Sequence, residues 1–119
     1  MKKLNLNAIR IDGGTHHNYV ALFADGSCKV GVTARPRVRL VELQRARASR
    51  VVRVMLTPAS ERRLAYGLER DLCRLTKFAG IPGTREWRRA GEFDYLRQTT
   101  GMFWHLRMSA PYAPVETTL

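Results

Sequence analysis

Tyr19-Val20-Ala21-Leu22-Phe23-Ala24-Asp25-Gly26-Ser27-Cys28-Lys29-Val30-Gly31-Val32-Thr33 sets two β-rich runs around an Asp-Gly dipeptide. Asp-Gly favours tight hairpin turns because both positions tolerate positive φ. The stretch therefore predicts an antiparallel hairpin with strands over Tyr19 to Ala24 and Lys29 to Thr33, Ser27 and Cys28 opening the second. What flanks the hairpin decides which sheet it belongs to.

From Arg35 to Ala48, Val38, Val41 and Leu43 recur at near-helical spacing among Arg, Glu and Gln, and Leu40 widens the apolar face. This predicts a helix with a cationic outer face, interrupted at Ser49. Val51-Val52-Arg53-Val54-Met55-Leu56 has the β-branched enrichment of a third strand. Thr57-Pro58 reads as a helix start, because Thr can accept an orphan N–H and Pro is tolerated at the first helical position. Leu64, Leu68, Leu72 and Leu75 then predict one face of a helix running to about Phe78, stopped by Ala79-Gly80-Ile81-Pro82-Gly83. Glu86 to Leu96 reads as a weaker helical or loop segment. The tail from Thr99 leaves two readings open, a short strand around Met102 to Arg107 or a partly ordered extension.

The expected fold is α+β, a small three-stranded antiparallel or mixed sheet flanked by helices. A chain of 119 residues has room for one modest core. The expected organisation is an extension over 1–16, a domain over 17–98 and an extension over 99–119, packed on the domain or partly ordered.

Charge narrows the partner. Twenty-one Lys and Arg stand against ten Asp and Glu, a net charge of +11. A small protein this basic repels itself unless an anionic partner offsets the charge. The excess is local: residues 35 to 63 hold nine Arg and two Glu, whereas residues 64 to 98 hold seven basic and five acidic residues. The Arg-rich segment is the expected phosphate-facing region, with Arg35, Arg37, Arg45 and Arg47 on the first helix as nucleic-acid contacts. Charge alone fits a ribosomal protein, a membrane-surface protein or a nuclease, because counterion release rewards any basic surface meeting a phosphate array.

Cys28 and Cys73 form no CxxC pair and have no His nearby in sequence to complete a zinc set. The longest apolar run, Tyr19 to Ala24, is too short to span a bilayer, and the first residues lack the apolar core of a signal peptide. The expectation is a cytoplasmic protein with two free thiols and no membrane partner; the oligomeric state is left open.

Tyr19-Val20, then Val30-Gly31-Val32-Thr33 and Arg39-Leu40 together resemble the hairpin and following helix of the GIY-YIG nuclease superfamily. The resemblance is closest to the phage and bacterial branch whose second half-motif begins with Lys, here Lys29-Val30-Gly31. Leu68-Glu69-x-x-Leu72 resembles the helix that carries that family's metal-binding glutamate, and Gly83-Thr84-Arg85-Glu86-Trp87 its closing segment. Together these cover about residues 17 to 95. The chain departs from the family in keeping only the tyrosine of the first half-motif. It has Leu43 one turn after the arginine, where many members place His or Tyr, and Cys73 where a histidine is frequent.

The resemblance implies a metal-dependent endonuclease that hydrolyses DNA phosphodiester bonds with Mg²⁺ or Mn²⁺. Its implied catalytic residues are Tyr19, Lys29, Arg39 and Glu69. Glu69 would hold the ion as a single carboxylate, which suits a hard cation that keeps most of its waters. Arg39 would bind the scissile phosphate bidentately. Tyr19 would orient or deprotonate the attacking water, Lys29 assisting, with its pKa lowered by Lys29 and Arg39. Arg85 and Trp87 would add nucleic-acid contacts, Trp87 by stacking on an unpaired base or else by packing in the core. Two other readings stay open: a DNA-binding module on this fold that has lost cutting, and a basic RNA-binding protein.

Overall fold

The computed structural model describes residues 14–75, 87–89, 92–108 and 115–118. Among these, strand β1 (His17–Phe23) and strand β2 (Ser27–Thr33) pair antiparallel, with Tyr19 opposite Gly31 and Ala21 opposite Lys29. Gly26 adopts φ +88°, and its N–H donates to the Phe23 carbonyl at 3.1 Å. Of the Asp-Gly dipeptide only the glycine takes positive φ. Asp25 acts through its carboxylate instead, accepting from the Ser27 N–H at 2.9 Å and the Ser27 hydroxyl at 2.6 Å.

Helix α1 (Pro36–Arg47) follows, then strand β3 (Val51–Leu56), antiparallel to β1 on the side away from β2. Helix α2 covers Arg62–Leu75, strand β4 Trp87–Arg89, helix α3 Phe93–Met108 and strand β5 Val115–Thr118. The sheet order is β4-β2-β1-β3-β5, and every pairing is antiparallel. The three expected strands form the centre of this α+β fold, and two short strands extend it at both edges.

Strand alternation gives the sheet two apolar faces. Tyr19, Ala21, Phe23, Val54 and Leu56 face α1, which buries Leu40 and Leu43 against them. Val20, Cys28, Val30 and Met55 face α2 and α3, which contribute Leu68, Leu72, Phe93, Leu96 and Trp104. Burial pushes the Cys28 thiol up to about 12, so it is an inert apolar packer. No helix among the described residues is long and apolar enough to cross a membrane.

Several sequence expectations are corrected here. Val38 and Val41 face outward, 46% and 39% exposed, because α1 turns the narrower Leu40–Leu43 seam to the sheet. Thr57-Pro58 does not start α2. Thr57 Oγ1 accepts from the Asn18 N–H at 2.9 Å, and Ser60 bridges to His16, so this segment is tied to β1 and the helix begins at Arg62. Within α2 the seam is Ala65, Leu68 and Leu72, while Leu64 and Leu75 lie exposed. The segment around Met102 to Arg107 is helical, and the expected boundary after residue 98 falls inside α3. Trp104, fully buried, makes that helix part of the core. The expected end of α2 near Phe78 and its stop over 79–83 lie outside the described residues, as do residues 1–13.

Helix α1 ends on Ala48 in the left-handed conformation, φ 54° and ψ 40°, with its N–H turned to the Arg45 and Gln44 carbonyls. Glycine is the usual residue at such a cap, since a Cβ costs about 1–2 kcal/mol there. Ala48→Gly is therefore expected to raise the unfolding free energy by roughly 1 kcal/mol, read as a higher urea midpoint with unchanged slope.

Candidate active site

Tyr19 lies third in the central strand, and its ring lies directly across Gly31. A Cβ built on Gly31 would collide with Tyr19 Oη and Cζ and stand 2.7 Å from Cε1. The glycine is needed for space, at a φ that any residue could adopt. This close fit leaves Tyr19 only 1% exposed, with its hydroxyl hydrogen-bonded by the Arg39 guanidinium from α1.

Arg39 sits on the flank of α1, between the buried Leu40–Leu43 seam and solvent. It reaches inward to Tyr19 and outward to Glu42, 3.5 Å away. Burial works against its charge, but the Tyr19 hydrogen bond and the Tyr19 and Glu42 charges outweigh that and raise its pKa further. It remains a fixed cation.

Glu69 comes from the other side of the sheet, on α2, beside the buried Leu68 and Leu72, and is itself half-buried. Its charge nonetheless acts on Tyr19, as does Tyr66 one turn earlier on the same helix. Arg39 of α1 and Glu69 of α2 thus both act on Tyr19 of β1. Lys29 shares the Tyr19 face of the sheet but is 4% exposed, with its ammonium 5.6 Å from the Trp87 ring centroid. It is no edge charge, since β2 is paired on both sides.

The expectation for Tyr19 is corrected. Burial pushes its phenol above the ordinary value of 10.0; the Arg39 hydrogen bond and charge pull the other way, and Glu69 and Tyr66 add to the rise. Desolvation of the phenolate wins over one neighbouring cation, so Tyr19 is a neutral phenol at physiological pH.

Of the expected nucleic-acid contacts, Arg35, Arg37 and Arg45 are exposed on or just before α1. Arg47 is half-buried and committed to Asp25, Nε to Oδ2 at 2.8 Å, with its guanidinium 4.8 Å from the Trp87 centroid. Although burial alone would raise it, the Ser27 hydrogen bonds and Arg47 hold the Asp25 carboxyl below its usual range. Trp87 packs on Phe23 at 5.1 Å between centroids, so its ring serves the α1-side core. Arg85 lies outside the described residues.

The adjacent His16 and His17 differ in their surroundings. His17 is buried, and its Nδ1–H donates to the Thr57 carbonyl at 2.7 Å. His16 is half-buried at the start of β1, bonded through Nδ1 to Thr15 Oγ1 at 2.8 Å, with its ring 6.0 Å from that of Tyr66. Tyr66 is the residue that sequence reasoning passed over. Its signal was available, since it lies three residues before Glu69 and so on the same helical face.

Among the described residues no three His, Cys, Asp or Glu side chains gather around a point. A divalent ion here would be held by Glu69, with water and phosphate oxygens completing its shell, a donor set that fits Mg²⁺ or Mn²⁺. Compared with known proteins, the chain matches no family model, no curated protein and no solved structure.

Two measurements check this geometry. Gly31→Ala is expected to cost about 1–3 kcal/mol of stability, because the buried Tyr19 ring has nowhere to move. The second is pH-dependent. A folded-state pKa above 10.0 means that the unfolded chain loses the Tyr19 proton first, so this contribution is full below pH 10 and is lost as pH rises through the folded value. The stability difference between wild type and Tyr19→Phe should therefore fall above pH 10 and stay constant between pH 6 and pH 9, as measured by urea unfolding.

Proposed function

We propose that this protein is a metal-dependent endonuclease that hydrolyses DNA phosphodiester bonds, on a plan resembling the GIY-YIG nucleases. The observation that carries the proposal is that Arg39 of α1 and Glu69 of α2 both act on Tyr19 of β1, beside a helix whose exposed arginines suit a phosphate backbone.

In this reading Arg35, Arg37 and Arg45 hold the backbone along α1, and counterion release supplies most of the affinity. Arg39 brings its fork to the scissile phosphate and stabilises the charge that grows on it. Tyr19, a buried neutral phenol, holds the Arg39 guanidinium toward the site rather than deprotonating the attacking water, in keeping with its raised pKa. Glu69 would hold the ion, which would supply positive charge at the phosphate oxygens. Lys29 adds a buried positive charge on the same sheet face, behind the phosphate rather than on the water. The burial and raised pKa of Tyr19 also favour a second reading, a module on this fold that binds DNA without cutting it.

Plasmid DNA incubated with Mg²⁺ or Mn²⁺ tests the proposal. Wild type is expected to nick it, and Arg39→Ala and Glu69→Ala to lose roughly 100-fold or more of that rate. Tight, salt-sensitive binding with no nicking would establish the second reading. Cutting that survives Glu69→Ala would overturn the site.

A further inference from the structure

Arg62, Tyr66 and Glu69 lie at intervals of four and three on α2, a single stripe that ends at the proposed metal-binding carboxylate. The Arg62 guanidinium carbon is 5.7 Å from the Tyr66 ring centroid. His16 lies 6.0 Å from the same ring, tilted by 52° and bonded to Thr15. Tyr66 is 44% exposed although it is a large aromatic at the rim of the site. Its phenol is close enough to Tyr19 to act on that residue's ionisation. A cation, an exposed phenol ring and an imidazole thus border the place where the scissile phosphate would lie.

This combination has a specific use. A backbone-only binder needs cations and gains little from exposed rings. An aromatic face beside arginines is what an unpaired base takes up, by stacking at one edge while its phosphates are neutralised at the other. Bases inside a duplex are already stacked and cannot reach the ring. We propose that Tyr66, flanked by Arg62 and His16, is a stacking platform for an unpaired base next to the scissile phosphate. The preferred substrate is then DNA carrying single-stranded nucleotides at the cut, such as a gap, flap or branch. The proposal rests on the nuclease reading of the neighbouring Tyr19–Arg39–Glu69 site.

The test uses the full chain with short DNA oligonucleotides containing the fluorescent base 2-aminopurine, single-stranded or in a matched duplex, in EDTA so that nothing is cut. Wild type should bind the single strand with a fluorescence change that reports stacking. Tyr66→Ala should weaken single-strand binding by about 5- to 100-fold, the range expected for one stacked base, and abolish the fluorescence change. Its duplex affinity should stay within about twofold. Tyr66→Phe should keep both properties, since the ring and not the hydroxyl stacks. Arg62→Gln should lower the salt dependence by about one phosphate contact while leaving the fluorescence change in place.

Equal loss on single strand and duplex, or no effect of Tyr66→Ala, would overturn the platform. Cleavage assays on plasmid and gapped DNA separate the two ideas. Cutting of gapped DNA untouched by Tyr66→Ala would leave the nuclease standing and remove the platform, whereas Tyr66-dependent stacking without any cutting would do the reverse.

Discussion

A tyrosine ring laid across a glycine on the neighbouring strand governs the arrangement of this protein. Tyr19 and Gly31 are paired directly by the hairpin register, and no larger residue could occupy position 31 with the ring in place. The register comes from the turn, where Asp25 and Gly26 close the loop. A one-residue slip would move Tyr19 to the face covered by α2 and α3. The turn is also held from outside. Asp25 takes Arg47 from the last turn of α1, and its N–H donates to Ser49 Oγ at 2.9 Å. The far end of the helix that carries Arg39 is thus pinned to the same turn that sets the position of Tyr19.

Burial and charge oppose each other at this pair. The close fit excludes water from Tyr19 and favours the phenol over the phenolate, while Arg39 favours the phenolate. A half-buried guanidinium, still open to solvent on one flank, offsets only part of the desolvation cost. The remaining cations follow a different logic. On α3, Arg97 pairs with Asp94 and Glu116, and Arg107 with Asp71, exposed contacts that add little stability but cancel charge. Among the described residues no carboxylate pairs with Arg35, Arg37 or Arg45. Arg35, Arg37 and Arg45 thus give α1 an uncompensated cationic face, next to Arg39.

The hairpin, α1 and β3 were legible in the sequence because their signals are local: turn chemistry, β-branched runs and a short amphipathic repeat. The errors fall where tertiary contacts decide. Thr57 looks like a helix cap, but its hydroxyl is taken by Asn18 of β1, thirty-nine residues earlier, which no local pattern reveals. Val38 and Leu64 match helical spacing yet point outward, because a helix lying on one sheet face buries a seam narrower than its apolar pattern. α3 was hidden by its composition, since Thr99, Thr100 and Gly101 weaken helix propensity and are accommodated by burial against the sheet. Tyr19, Arg39 and Glu69 were chosen through a family resemblance, since nothing in the spacing alone separates Arg39 from Arg35 or Arg37. Physics corrected one role within that set, the ionisation of Tyr19, because burial is not visible in a list of neighbouring charges.

The two-sided layering of the sheet also limits where the site can be. Arg39 belongs to the helix on one face and Glu69 to a helix on the other, yet both act on Tyr19. Side chains on opposite faces can meet only around the end of the sheet, beyond the strands that separate them. Tyr19 near the start of β1 and Gly31 near the end of β2 mark that end, and His16, just before β1, lies there as well. A site at a sheet end is open on the side where no strand continues. In the proposed nuclease reading, a phosphate backbone would pass between the two helices, with Arg39 on one side and Tyr66 and Glu69 on the other. In that reading the α1 arginines would favour any backbone, and the α2 aromatic ring only a base that has left its stack.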